Sequence, residues 1–90
     1  MILGIAWYDK TQWKKLKNVA VDASALDDSY EDWLKQADEF FNNFRQPGKT
    51  LKKVHIKIDE LVDWCKKNDY VVNAESRSKY TTYCLQQNHK

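Results

Sequence analysis

Cys65, Cys84, His55 and His89 are the side chains of this 90-residue chain with the chemistry of metal ligands or nucleophiles. None stands at the C-x-x-C or H-x-x-x-H spacing that gathers a zinc ion, so the pattern implies no metal and no cofactor. Cys65 and His55 fall on consecutive predicted elements, and Asp59 or Asp63 is placed to orient the imidazole of a Cys–His pair. A nucleophilic thiolate must be exposed and electrostatically stabilised. Cys65 instead follows Trp64 on an apolar helical face, where a thiol is inert. Asp59 and Asp63 lie one helical turn apart, but both fall on the water side, and acid catalysis needs one carboxyl desolvated. Gly48 stands alone beside Pro47, which makes a helix stop and not a phosphate loop. The chain reads as non-catalytic.

Two binding chemistries remain. Residues 61–87 read as helix, short turn, helix, and the second helix opens with Asn73, Ser76, Arg77 and Lys79. Those types meet base edges and phosphates when a helix N-terminus enters a major groove. Asp69 and Glu75 place negative charge at that end, and the turn lacks a glycine. A nucleic-acid-binding regulator is therefore the second reading. The first is a protein-interaction or regulatory domain. With 4 Trp and 5 Tyr, a core this small does not obviously enclose every ring. Trp7 and Tyr8 close a strand, so one of the two is expected to point outward. Exposed aromatic rings beside lysine have the composition of an interface. The expected partner-binding set is Trp7, Tyr8, Trp13, Lys53, His55 and Lys57. The partner is another protein or a second copy, with a homodimer preferred.

The elements that must position these residues can be read from spacing. Ile2–Tyr8 is a short apolar run rich in β-branched and aromatic residues, which suggests a buried strand. Asp9 with Gln12 makes a capping box that starts a helix at Lys10 and carries it to about Val19, with Trp13, Leu16 and Ala20 inward. Tyr30, Trp33, Leu34, Ala37, Phe40, Phe41 and Phe44 share one helical stripe, predicting a second helix with an aromatic core face. Asp27, Asp28 or Ser29 is placed to cap it, Ser29 with Asp32 resembling a capping box, and Gln46-Pro47-Gly48 ends it after about Arg45. Val54, Ile56 and Ile58 alternate with Lys53, His55 and Lys57, the period of a half-buried strand over 51–58. Asp59 is expected to cap a third helix to Lys67, with Leu61, Val62, Trp64 and Cys65 inward. Asn73 is expected to cap a fourth from Ala74 to about Gln87, with Tyr80, Tyr83 and Cys84 inward, before a frayed tail at 88–90.

The order β-α-α-β-α-α predicts an α+β domain spanning 1–90. Four helices pack on a small two- or three-stranded sheet whose central pair is parallel, the third strand coming either from Tyr70–Val72 or from a second copy of the protein. Net charge is only +2, but seven acids lie between Asp22 and Glu39 against Lys35 alone. Five bases and no acid lie between Arg45 and Lys57. No apolar run approaches the roughly 18 residues that span a bilayer. Ile2–Tyr8 is too short for a secretory core, and the expected setting is cytoplasmic, with Cys65 and Cys84 as buried thiols.

Overall fold

A computed structural model describes residues 1–87, and the frayed tail expected at 88–90 lies outside them. The element order is β1 (Ile2–Trp7), α1 (Lys10–Val19), a 3-10 turn (Ala23–Ala25), α2 (Tyr30–Asn43), β2 (Thr50–His55), α3 (Ile58–Lys67) and α4 (Ala74–Gln87). This is the α+β architecture read from the sequence, with a parallel two-stranded sheet. Ile2 faces Thr50 and Trp7 faces His55 at the two ends of the register. Tyr70–Val72 adds no third strand. The segment turns at Asp69, whose φ of 57° is left-handed, and its backbone bonds go elsewhere: Tyr70 N–H donates to Cys65 C=O at 2.8 Å and Val72 C=O accepts from Val21 N–H at 2.9 Å.

The caps show why the helices start where they do. Asp9 Oδ1 accepts from Gln12 N–H at 2.8 Å and Ser29 Oγ accepts from Asp32 N–H at 3.1 Å. Asn73 and Ser76 cap α4 reciprocally: each side-chain oxygen accepts the other's backbone N–H, at 2.9 and 3.0 Å. Such exchanges satisfy donors that a helix start leaves free. The third start departs from expectation. Ile58 belongs to α3 and not to the strand, and Asp59 lies inside the first turn. The Ile58 N–H is satisfied from outside, by Gln12 Oε1 of α1 at 2.7 Å. Asp59 pairs instead with Lys15 at 3.1 Å. Two polar contacts thus fasten α1 to the start of α3.

The core gathers Tyr8, Trp13, Leu16, Val54, Ile56, Ile58, Leu61, Cys65, Tyr80 and Leu85. Leu16 and Leu61 are wholly enclosed, and truncating such a leucine costs about 2–5 kcal/mol. On one face of the sheet, α4 comes close enough that a Cβ on Gly4 would lie 3.1 Å from Val54 and 3.3 Å from Thr81. The opposite face carries Trp7 and Lys53, over which α2 lays Phe41: the Trp7 and Phe41 rings meet edge-on at 6.2 Å. Lysine on this face was expected to look into water. Lys53 instead sits 4.1 Å above the Trp7 ring, covering it with its aliphatic stem and charge.

The aromatic stripe of α2 is only half used. Trp33 enters the cluster around Trp7, Tyr8 and Trp13, and Ala37 is buried. Phe40, expected in the core, is 54% exposed and pairs with half-buried Phe44 at 6.0 Å. The helix also stops at Asn43, short of Arg45. Arg45 then serves the helix end, its guanidinium donating to the C=O of Asn42 and Phe44. Tyr83, also expected inward, is exposed.

Candidate functional site

The six residues expected to bind a partner are not brought together on a surface. Trp7, Tyr8 and Trp13 are all buried, including the one of Trp7 and Tyr8 expected to point outward. The reason is α2: Trp33 packs 5.3–5.4 Å from each of the three rings and stacks on Trp13. Tyr30 O–H adds a hydrogen bond to Tyr8 C=O at 3.1 Å. Burial pushes the Tyr8 hydroxyl up to about 12, partly opposed by the nearby Arg77 charge. Lys53 is half-buried over Trp7 and Phe41, and only His55 and Lys57 stand free in water.

The helix-pair residues are likewise engaged. Asn73 and Ser76 are spent on the cap. Arg77 makes a two-pronged pair with Asp22, at 2.8 and 3.0 Å, and its side chain is 12% exposed. That guanidinium holds the Asp22 carboxyl below the usual carboxylate range. Lys79 stays exposed, 3.3 Å from Glu75 and 4.9 Å above the Tyr70 ring. The hydrogen bond to Glu75 raises its pKa. This helix start presents one cation where groove recognition needs several groups aimed outward.

The reactive types are dispersed. Cys65 is a buried free thiol and Cys84 a half-buried one, the latter pushed up by burial. Among the described residues, no three His, Cys, Asp or Glu side chains gather as a metal site. His89 lies outside those residues.

The site that spacing did not reveal is the free edge of β1. Met1 C=O accepts from Thr50 N–H and Trp7 C=O from Ile56 N–H. In a parallel ladder alternate residues direct both backbone groups to the same neighbour. Odd-numbered residues of β1 therefore face β2, and Gly4 and Ala6 turn their N–H and C=O the other way. Among the described residues no hydrogen bond reaches those groups. They open into a cleft of about 380 Å³, lined by Gly4, Ile5 and Ala6 on one side. Its walls are Leu26 and Asp27 after the 3-10 turn, Trp33 of α2, and Arg77 and Thr81 of α4, with no residue of β2 taking part. The volume falls in the range of about 300–1,000 Å³ typical of ligand sites. Trp13 also lines the cleft, and its buried Nε1 has no hydrogen-bond partner. Leu26 and Asp27 continue into a second groove lined by Asp28, Asp32, Lys35, Gln36 and Glu39.

Chemically this arrangement offers backbone donors and acceptors at strand spacing, an aromatic wall and a carboxylate rim. It offers no nucleophile beside a base. Comparison with family models, curated proteins and solved structures finds no match, so the fold's own geometry carries the functional argument.

Proposed function

We propose that this chain is a small, non-catalytic protein-interaction domain that captures an extended segment of its partner along the free edge of β1. The observation that carries the reading is the pair of outward-facing residues, Gly4 and Ala6, whose backbone groups lack partners beside a walled cleft. An open edge is normally charged, bulged or covered, because it is a template for another strand. Ile2–Trp7 carries no charge, and the cleft leaves its edge accessible. A segment lying there would complete the backbone pairing, as in other strand-addition complexes. The two free thiols fit a reducing, cytoplasmic setting. No described helix is long and apolar enough to cross a membrane.

A homodimer through Trp7 or Tyr8 has less support, because both rings are enclosed. Nucleic-acid binding loses Arg77 to Asp22 and Ser76 to the cap.

The test is selection from a random peptide library, run in parallel on the wild type and on Ala6→Pro. Proline removes the outward N–H while leaving the β2 ladder intact. Sequences enriched by the wild type and lost with the variant are expected. Equal enrichment by both would show that the edge is not the binding element.

A further inference from the structure

We infer that the segment captured at β1 is basic: an extended peptide of small or β-branched residues alternating with lysine or arginine. This inference rests on the strand-capture reading and adds the chemistry of the captured chain.

A strand beside β1 turns successive side chains to opposite faces of the sheet. On the α4 side it meets Thr81, Ser78 and Arg77. There the one cation is held by Asp22 in a two-pronged pair, so neither charge is free to recruit another. Gly4 lets α4 approach closely on this side, which favours small or β-branched neighbours. On the other side the segment meets Leu26, Asp27 and Trp33, and beyond them the acidic groove. Asp32, Gln36 and Glu39 fall at i, i+4 and i+7 on α2, one face of that helix. They span about 10 Å at the helical rise. Alternate residues of a strand lie about 7 Å apart, so two lysines separated by one residue reach both ends of that row. Among the residues lining the groove, the carboxylates of Asp27, Asp28, Asp32 and Glu39 stand against Lys35, and beside it Lys17 Nζ donates to Asp27 C=O at 3.0 Å. Asp27 is partly occupied, accepting from Gln36 Nε2 at 3.0 Å. Asp28, Asp32 and Glu39 make no salt bridge among the described residues. The backbone edge thus supplies sequence-independent pairing, and the acidic row selects the charge of the side chains on one face. An acidic segment would bring like charges together at that row.

The probe is a seven-residue peptide, fluorescein-labelled at its N-terminus and amidated, that alternates valine with lysine, measured beside its glutamate-for-lysine counterpart by fluorescence anisotropy. The lysine peptide is expected to bind, and to bind more weakly as salt rises from about 50 to about 500 mM. The glutamate peptide is expected not to bind. Asp32→Asn combined with Glu39→Gln should weaken the lysine peptide by about three- to tenfold, the scale of two exposed ion pairs. Ala6→Pro should abolish its binding. Equal binding of both peptides, lost with Ala6→Pro, would overturn the basic specificity and leave strand capture standing. Binding of the lysine peptide that survives Ala6→Pro would overturn strand capture, leaving a nonspecific acidic surface. Silence of both peptides would overturn the inference alone, because the library selection tests the reading beneath it. Self-association of the free chain that Ala6→Pro abolishes would replace the basic peptide with a second copy.

Discussion

The two strands of the sheet meet their surroundings with different chemistry. β2 carries exposed Lys52 and His55, with exposed Lys57 just beyond, so lysine charge lies along it, while Lys53 is turned over the Trp7 ring. β1 carries Ile2, Leu3, Gly4, Ile5, Ala6 and Trp7, and its far side opens into a cleft walled by α4 and the start of α2. Charge along an edge is the common defence against unwanted pairing. The molecule applies that defence to one edge only. The other is left chemically able to pair, while its flanking walls restrict what can approach.

The largest effect that probes this asymmetry is on β1 itself. Ile5→Pro removes an N–H directed at β2, breaking the ladder, and should lower the urea midpoint more than any other change named here. Ala6→Pro, one residue on, should cost far less because its N–H faces away from the ladder. Equal destabilisation by the two prolines would break the assignment of inner and outer residues. Next in size is Gly4→Val. The added side chain must displace Val54 or Thr81, which already lie 3.1 and 3.3 Å from the Cβ position, and overpacking of this kind costs about 1–3 kcal/mol. An unchanged thermal midpoint would show that α4 does not press on β1 and that the cleft wall is loose.

Acidification gives a smaller effect on the same wall. Arg77 holds the Asp22 carboxyl below its ordinary value. That pair therefore contributes fully above about pH 4, the unfolded aspartate value, and its contribution is lost as pH falls through the lower folded value. Asp22→Asn should flatten this acid-side loss in a pH series of unfolding midpoints, and a variant with the same slope as wild type would exclude the pair as its source. The smallest effect is expected at Phe40. Its ring is largely exposed, so Phe40→Ala should change stability by no more than about 0.5 kcal/mol. A loss of several kcal/mol would place the whole α2 stripe in the core after all.

Local signals were legible where both partners lie close in sequence. Asp9 and Asn73 cap their helices as read, Ser29 is the one of its three candidates that caps α2, and the alternation of Val54, Ile56 and Ile58 marks buried residues. Ile58 shows the limit of that reading: period two cannot distinguish the last residue of a strand from the first buried residue of the next helix. Contacts across the chain were not legible. Gln12 serves Ile58 from 46 residues away, and Arg77 serves Asp22 from 55. Helical periodicity put Phe40 on the same face as Trp33, but not how far the sheet beneath that face extends. A two-stranded sheet is narrow, and the stripe continues past the rings it covers. The free edge of β1 was invisible for a related reason. The uncharged run suggested a strand needing cover, while only the register shows that Gly4 and Ala6 are the residues left open.

Amide hydrogen exchange, read residue by residue by NMR at a concentration where the chain is monomeric, tests the central claim most directly. The ladder residues Leu3, Ile5 and Trp7 should be protected in the free protein, while Gly4 and Ala6 exchange rapidly. Addition of a segment selected from the peptide library should slow Gly4 and Ala6 and leave the odd-numbered residues unchanged. Gly4 and Ala6 amides already as protected as Ile5 in the free monomer would contradict the account, because the edge would then be covered within the chain and have nothing to offer a partner.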